Sequence, residues 1–208
     1  MKLSCFLTLC LALILTSISS LFANDVSDWC PDGQKAFARG MYEEANLALS
    51  SCLYNPPEDP VLASQGYFLR GETYFDRSDY VAALSDLDLA VELWPENAPA
   101  WRTKAWVHYN QEDYLAAIQA ITMALEADPH STESNHVHAT ILTAMDRNSQ
   151  AMDAYDLAYS FETKDTVQKL QRALEREGFN VGSTDGVYGS QTRDALKACI
   201  QADCILSM

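Results

Sequence analysis

Basic residues are scarce in this chain. Fourteen Lys and Arg face 29 Asp and Glu, a formal net charge of −15. A surface this acidic repels a polyphosphate backbone, which excludes nucleic acid as a partner. Glycine and proline are also few, eight and seven among 208 residues, while 48% of the chain is hydrophobic. That balance excludes a low-complexity or disordered polymer and leans towards helices, in a length that suits one or two modest domains. No Cys-x-x-Cys occurs, which removes the zinc-ribbon and thioredoxin-type readings. No cofactor is expected. Long apolar runs are missing too, with one exception at the start.

That exception runs from Leu3 to Leu15, broken by Ser4, Thr8 and two cysteines. Lys2 precedes it, and the small residues Thr16, Ser17, Ser19 and Ser20 lead into "LFAND". One charge, an apolar stretch and a small residue at Ala23 describe a secretory signal peptide over residues 1–23. Two alternatives stay open. Leu3 to Ala23 is long enough for an uncleaved membrane anchor, and Cys10 is a candidate for lipidation, against which the bulky Leu9 argues. Membrane contact is expected only through this segment. Cleavage after Ala23 removes Lys2 and no acid, leaving 13 basic against 29 acidic residues, a net of −16. It also removes Cys5 and Cys10, so Cys30, Cys52, Cys199 and Cys204 remain. An even number in an exported chain suggests two disulfides. Three pairings are possible, and proximity along the chain favours Cys30–Cys52 and Cys199–Cys204.

The middle of the chain repeats with a period of 34. Tyr67, Trp101 and Asn135 share a slot, as do Gly71, Ala105 and Ala139, and Tyr80 and Tyr114. Ala83, Ala117 and Ala151 form another set, Ala90, Ala124 and Ala158 a fourth, and Pro95 and Pro129 close their units. An earlier copy fits 38 residues ahead through Trp29, Gly33, Tyr42, Ala45, Cys52 and Pro57. Small residues at fixed places let two antiparallel helices approach closely, and an aromatic fills the space beside them. In spacing and residue pattern this resembles the tetratricopeptide repeats, in copies at about 26–59, 64–97, 98–131 and 132–163. "YFLRGETYFDRSDYVAALSDLDLAVELWP" and "WRTKAWVHYNQEDYLAAIQAITMALEADP" carry the pattern most fully. In the first copy Pro31 places the helix start after Trp29. In the fourth, Asn135 takes the aromatic slot and Thr163 the proline position.

The resemblance implies an all-α solenoid of helical hairpins over 24–163. It also makes Cys30 and Cys52 neighbours at adjoining helix ends, where a bridge closing that loop would add about 3 kcal/mol. The first helices of the pairs would line a groove for a protein or peptide partner, with Phe37, Phe68, Glu72, Phe75, Asp76, Arg102, Trp106, Tyr109, Asn110 and His136 facing it. Some of these aromatics are expected to pack between repeats instead. Glu72, Asp76 and Trp106 argue against a clamp for an acidic C-terminal carboxylate. His130, His136 and His138 cluster in sequence, but a spacing of two puts His136 and His138 on different helix faces, so no metal site is expected.

After Thr163 the register is lost. Asp165 is read as a helix cap with Gln168 three residues on. Val167, Leu170 and Leu174 make an apolar stripe, and Gly178 ends the helix. The loop before the next helix, "GFNVGSTDGVYGS", is no P-loop, because Gly189 is followed by Ser190 and Gln191; it is no dinucleotide fingerprint, because a helix precedes it. "VQKLQRALEREGFNVGSTDGVYGSQTRDALKAC" instead resembles the small helical peptidoglycan-binding module of cell-wall proteins. The matching residues are Val167, Leu170, Gln171, Leu174, Gly178, Phe179, Asp185, Gly186, Tyr188, Gly189, Thr192 and Ala195. The family usually continues with a glutamine-ended helix and a further turn and helix. In this chain "ACIQADCILSM" stands in that place, with Cys199–Cys204 expected as a clasp on a short, truncated form.

This resemblance implies a domain over 164–208 and a contact region including Asn180, Asp185, Gly186, Tyr188, Gly189 and Thr192. Each also has a local reading: Asp185-Gly186 as a tight turn, Gly189 as an unusual backbone angle, Ser190 or Thr192 as a helix cap. Three functions are open. The first is an exported bacterial adaptor without catalysis, periplasmic or secreted, that holds a protein or peptide partner in its repeats and peptidoglycan in its tail. The second is a structural or chaperone-like repeat protein whose tail only caps the solenoid. The third, an enzyme or an accessory of a cell-wall hydrolase, lacks any zinc motif or transpeptidase-like cysteine context.

Overall fold

A computed structural model describes residues 29–202 and 204. The expected signal peptide at 1–23 lies outside the described residues. Ten α-helices and no strand occur among them, in chain order α1 (Pro31–Ala38), α2 (Tyr42–Leu53), α3 (Pro60–Asp76), α4 (Tyr80–Leu93), α5 (Ala98–Asn110), α6 (Tyr114–Ala127), α7 (Thr132–Ala144), α8 (Asn148–Ser160), α9 (Lys164–Arg176) and α10 (Ser190–Gln201). They pack as sequential hairpins and divide into two compact units, Met1–Trp94 and Pro95–Met208. None of these helices is long and apolar enough to cross a membrane.

The repeat period is visible in the turns. Each first helix closes with an N–H that reaches five residues back: Met41 N–H to the Ala36 carbonyl, Asp79 to Tyr74, Asp113 to His108 and Arg147 to Leu142, all 2.8–3.0 Å. Such a turn needs one left-handed residue, and it is Gly40, Ser78, Glu112 and Asp146 in turn, at φ between 59° and 68°. Three of the four are not glycine, so a strained backbone angle is retained through the array. The second helices begin at Asp79 and Asp113, whose carboxylates accept from Ala82 and Ala116 N–H. The first helices begin at Asp59, Asn97 and Ser131, each a side-chain cap.

In the first unit α1 to α4 pair around small residues. A Cβ on Gly33 would stand 2.8 Å from Leu49, and one on Gly71 would stand 3.0 Å from Leu87. Ala45, Ala83 and Ala90 are fully buried. Cys30 and Cys52 sit at disulfide distance, their Cα atoms 6.0 Å apart. Arg70 forks onto Asp86 through Nε at 2.7 Å and Nη2 at 2.8 Å, and its Nη1 reaches Ser50 Oγ at 3.3 Å. That set ties α2, α3 and α4 together around a carboxylate that is almost wholly buried.

In the second unit the equivalent alanines, Ala105, Ala117, Ala124, Ala139, Ala151 and Ala158, are fully buried. Trp101 donates from its indole to the Pro95 carbonyl, and Asn135, in the same slot one repeat on, donates its amide to the Pro129 carbonyl. The Asn135 amide thus keeps the indole's link to the preceding loop while giving up its bulk.

The array does not stop at Ser160. Thr163 caps α9 by accepting from Thr166 N–H, so Asp165 is not the cap; it lies in the first turn and pairs with Lys169. A capping side chain must stand just before the first helical residue, and in α9 that place belongs to Thr163. α9 also closes as the first helices do, with Phe179 N–H to the Leu174 carbonyl and Gly178 at φ 87°. Met152 and Tyr159 of α8 then share one core with Val167, Leu170, Leu174, Val181, Ala195, Leu196 and Ile200. The second compact unit thus includes both the last two repeats and the C-terminal helices.

Removing the buried Asp86 carboxylate strands the Arg70 guanidinium. Asp86→Ala is expected to cost the first unit about 3–5 kcal/mol in chemical denaturation; a loss below about 1 kcal/mol would mean solvent already screens the pair.

Candidate functional site

Gln171 organises the C-terminal loop. It sits in the middle of α9, 1% exposed. Its Nε2 lies 3.1 Å from the Val187 carbonyl, 3.1 Å from Thr192 Oγ1 and 3.3 Å from Asp185 Oδ1. Its Oε1 accepts from Gly186 N–H at 2.9 Å. A buried amide satisfied on both ends fixes a loop that has no regular backbone ladder. Gln168, one turn earlier, donates to the Thr184 carbonyl.

The loop residues have defined places. Asn180 is exposed and its Oδ1 accepts from Gly182 N–H at 3.0 Å. The Asp185 carboxylate accepts from Val187 N–H and Ser183 Oγ, and with Gln171 these bonds hold its pKa below the ordinary carboxylate value. Gly186 is at φ 77°, and a Cβ there would strike the Lys164 carbonyl. Only glycine meets both demands. Gly189, expected at an unusual backbone angle, is in ordinary extended conformation (φ −97°, ψ −178°) with open space around it. It is itself the N-cap of α10, so neither Ser190 nor Thr192 caps that helix. Thr192, 2% exposed, receives the Gln171 amide instead.

Tyr188 turns away from the loop surface. Its hydroxyl donates to Asp156 Oδ1 of α8 at 2.9 Å, and its ring stacks on Tyr159 with centroids 5.0 Å apart. Burial, and then Asp156, push its pKa up. Arg193 adds Nε and Nη2 contacts to Asp156 Oδ2, both 2.6 Å. The outward face of the loop is left to Asn180, Gly182, Ser183, Asp185 and Val187, the last 62% exposed. Cys199 in the last turn of α10 and Cys204 just after it stand at disulfide distance, Cα atoms 5.1 Å apart.

The groove candidates lie in two sets. In the first unit Phe68, Glu72 and Phe75 are half-buried along α3 and Asp76 is exposed. Phe75 meets Tyr80 at 6.2 Å, and Phe37 meets Tyr42 at 6.2 Å. In the second unit Arg102, Trp106, Tyr109 and Asn110 share one face of α5, at a spacing of three to four residues. Trp106 meets Tyr109 edge-on at 5.3 Å, and the Asn110 amide folds back onto the Trp106 carbonyl. These rings pack partly on the core around Ile121 and Val137. His136 is separate from them. Its Nε2 is 3.4 Å from Glu162, and its ring lies edge-on to Tyr159 at 4.6 Å and Tyr155 at 6.0 Å.

Residues 163–199 match the family described as "Putative peptidoglycan binding domain". Among solved structures, the chain is similar to the first tetratricopeptide domain of Spaghetti (RPAP3) bound to the HSP90 peptide SRMEEVD, at 24% identity over 59% of this chain and 94% of that one, TM-score 0.52. It is also similar to MamA, at 21% identity over 82% of this chain and 96% of that one, TM-score 0.57. MamA from Desulfovibrio magneticus RS-1 matches at 18% over 68% and 80%, TM-score 0.57. No curated protein matches the chain. The fold is that of the tetratricopeptide-like repeats, with a peptidoglycan-binding-type domain near the C-terminus. At these identities the repeat likeness establishes architecture alone.

Two outcomes follow from the geometry. Gln171→Leu keeps the volume but leaves the Gly186 N–H and the Val187 carbonyl without their partner; a loss of about 2–4 kcal/mol is expected in denaturation of the second unit, and an unchanged midpoint would mean that Gln171 does not hold the loop. The second concerns pH. Burial lowers the pKa of both His136 and His138 below 6.5, with Glu162 and Glu133 partly opposing it at His136. The unfolded chain then binds protons more readily, so stability is full above about pH 6.5 and falls as pH drops through the folded values. The thermal midpoint should decline between about pH 7 and pH 5, and His138→Gln should flatten that decline.

Proposed function

We propose that this protein is an exported, non-catalytic adaptor of the cell envelope. Its repeats hold a protein or peptide segment, and its C-terminal domain holds peptidoglycan. The observation that carries this reading is the family match at 163–199, joined to a loop whose exposed face is rigidly backed by Gln171. A muropeptide offers hydroxyls, amides and carboxylates, for which a fixed array of small polar groups suffices. Charge is distributed to suit. Residues 1–162 carry 23 acidic and 8 basic side chains, while 163–208 carry six of each. The wall-facing part is therefore neutral, and the repulsive charge sits in the repeats.

For the repeats, support comes from the architecture shared with a domain that holds a peptide in RPAP3. The occupant of these repeats differs from that acidic peptide, because Glu72 and Asp76 stand among the groove residues.

A second reading has its own observation. α9 and α10 share a core with α8, as a cap on the last repeat would. Co-sedimentation with purified sacculi separates the two. The mature protein should sediment, and Asn180→Ala combined with Val187→Glu should reduce the bound fraction about ten-fold without lowering the thermal midpoint, because both side chains are exposed. A mature protein that stays in the supernatant would leave only the cap.

A further inference from the structure

The second unit holds a pocket of about 460 Å³ lined by α7, α8, α9 and α10, with His136, Thr140, Thr143, Tyr155, Glu162 and Thr166 on its polar side and the Cys199–Cys204 pair beside Leu196 and Ile200 on the other. It is separate from the outward face of the loop. Two of its hydroxyls are already committed as donors. Thr140 Oγ1 already donates to the His136 carbonyl at 2.9 Å, and Thr143 Oγ1 to the Ala139 carbonyl at 2.9 Å. A hydroxyl that has spent its proton offers only lone pairs. The His136 Nε2 faces Glu162 Oε1 at 3.4 Å, and Glu162 Oε2 accepts from Thr163 N–H at 3.4 Å.

The Glu162 side chain is 15% exposed, His136 23%. Burial keeps the imidazole neutral near pH 7. Among the described residues no Lys or Arg ion pair reaches Glu162, and no Lys or Arg lines the pocket. A shielded carboxylate with only neutral partners calls for a cation. The pocket therefore presents acceptors and a negative charge, with Tyr155 and Tyr159 also in its lining.

We propose that this pocket receives a lysine side chain from the peptide segment held by the repeats, with Glu162 as counter-ion, the Thr140 and Thr143 hydroxyl oxygens as acceptors and Tyr155 as an apolar wall for the alkyl stem. An ammonium brings three donors and no acceptor, which matches what the walls offer. A guanidinium prefers a two-oxygen fork, and both Glu162 oxygens already have a partner. The surrounding repeats, acidic throughout, draw a basic segment towards it. This inference rests on the reading that the repeats bind a peptide.

The test uses the intact mature chain and two probes, Nα-acetyl-lysine amide and Nα-acetyl-norleucine amide, followed through the NMR signals of the Thr140 and Thr143 methyls. A fragment of this size is expected to bind with Kd on the order of 1 mM. The lysine probe should shift both methyls and bind about ten-fold tighter than its neutral analogue, and Glu162→Gln should remove that preference. The comparison of probes on the unaltered chain stands even if the variant fails to fold. Equal affinities for the two probes, or lysine shifts that avoid Thr140 and Thr143, overturn the pocket. If lysine is preferred but basic peptides of about ten residues bind no tighter than the single residue, the pocket stands and the peptide reading of the repeats fails.

Discussion

One carboxylate joins the last repeat to the C-terminal segment. Asp156, on the second helix of that repeat, accepts from the Tyr188 hydroxyl on one oxygen and from two Arg193 nitrogens on the other. Tyr159 stacks beneath Tyr188, and Met152 extends the contact into the core of α9 and α10. A half-buried carboxylate of this kind is worth keeping only while its partners stay in place. The C-terminal segment therefore does not hang from the array as an appendage. Its first helix shares the side-chain cap and closing turn of the repeats' first helices, but its two helices pack on each other less closely than a repeat pair does, and the second of them reaches α8. The packing that covers the end of the array also fixes the exposed loop from Asn180 to Val187.

That packing decides which residues remain for recognition. Tyr188 and Arg193 are committed to Asp156, and Thr192 to Gln171. Gln171 in turn holds Gly186, Val187 and Asp185 in a fixed shape. The loop can therefore be rigid and outward-facing at Asn180, Ser183 and Val187 without any regular secondary structure. The same docking, seen from the other side, walls off the pocket around Glu162.

Much of this was legible in the sequence, and the misses have physical reasons. Small residues recurring every 34 positions announced the helix contacts, because close approach tolerates nothing larger. The turns were harder. Three of the four left-handed positions are Ser78, Glu112 and Asp146, and of these only the aspartate has a side chain that favours φ near 60°. Asn135 departs from the aromatic slot, yet its amide reaches the loop carbonyl that matches the one Trp101 uses, more loosely, while bonding chiefly to the Ser131 carbonyl. Thr163 and Asp165 are both good caps by chemistry, and only the helix start separates them. Gly189 read as the special glycine of the loop, whereas Gly186 bears the constraint, since it passes over the Lys164 carbonyl. Tyr188 matched the family pattern, but its direction depends on Asp156, 32 residues earlier and in another helix. Gln171 was one matching residue among twelve until its four bonds were seen together.

The central claim is that the last repeat and the C-terminal segment fold as a single cooperative body. Native-state hydrogen exchange across increasing denaturant tests it most directly, by comparing the core amides of α8 with those of α9 and α10. The three helices should lose protection together, with one opening free energy and one denaturant dependence. Loss of protection in α9 and α10 at low denaturant, while α8 stays closed, would contradict it.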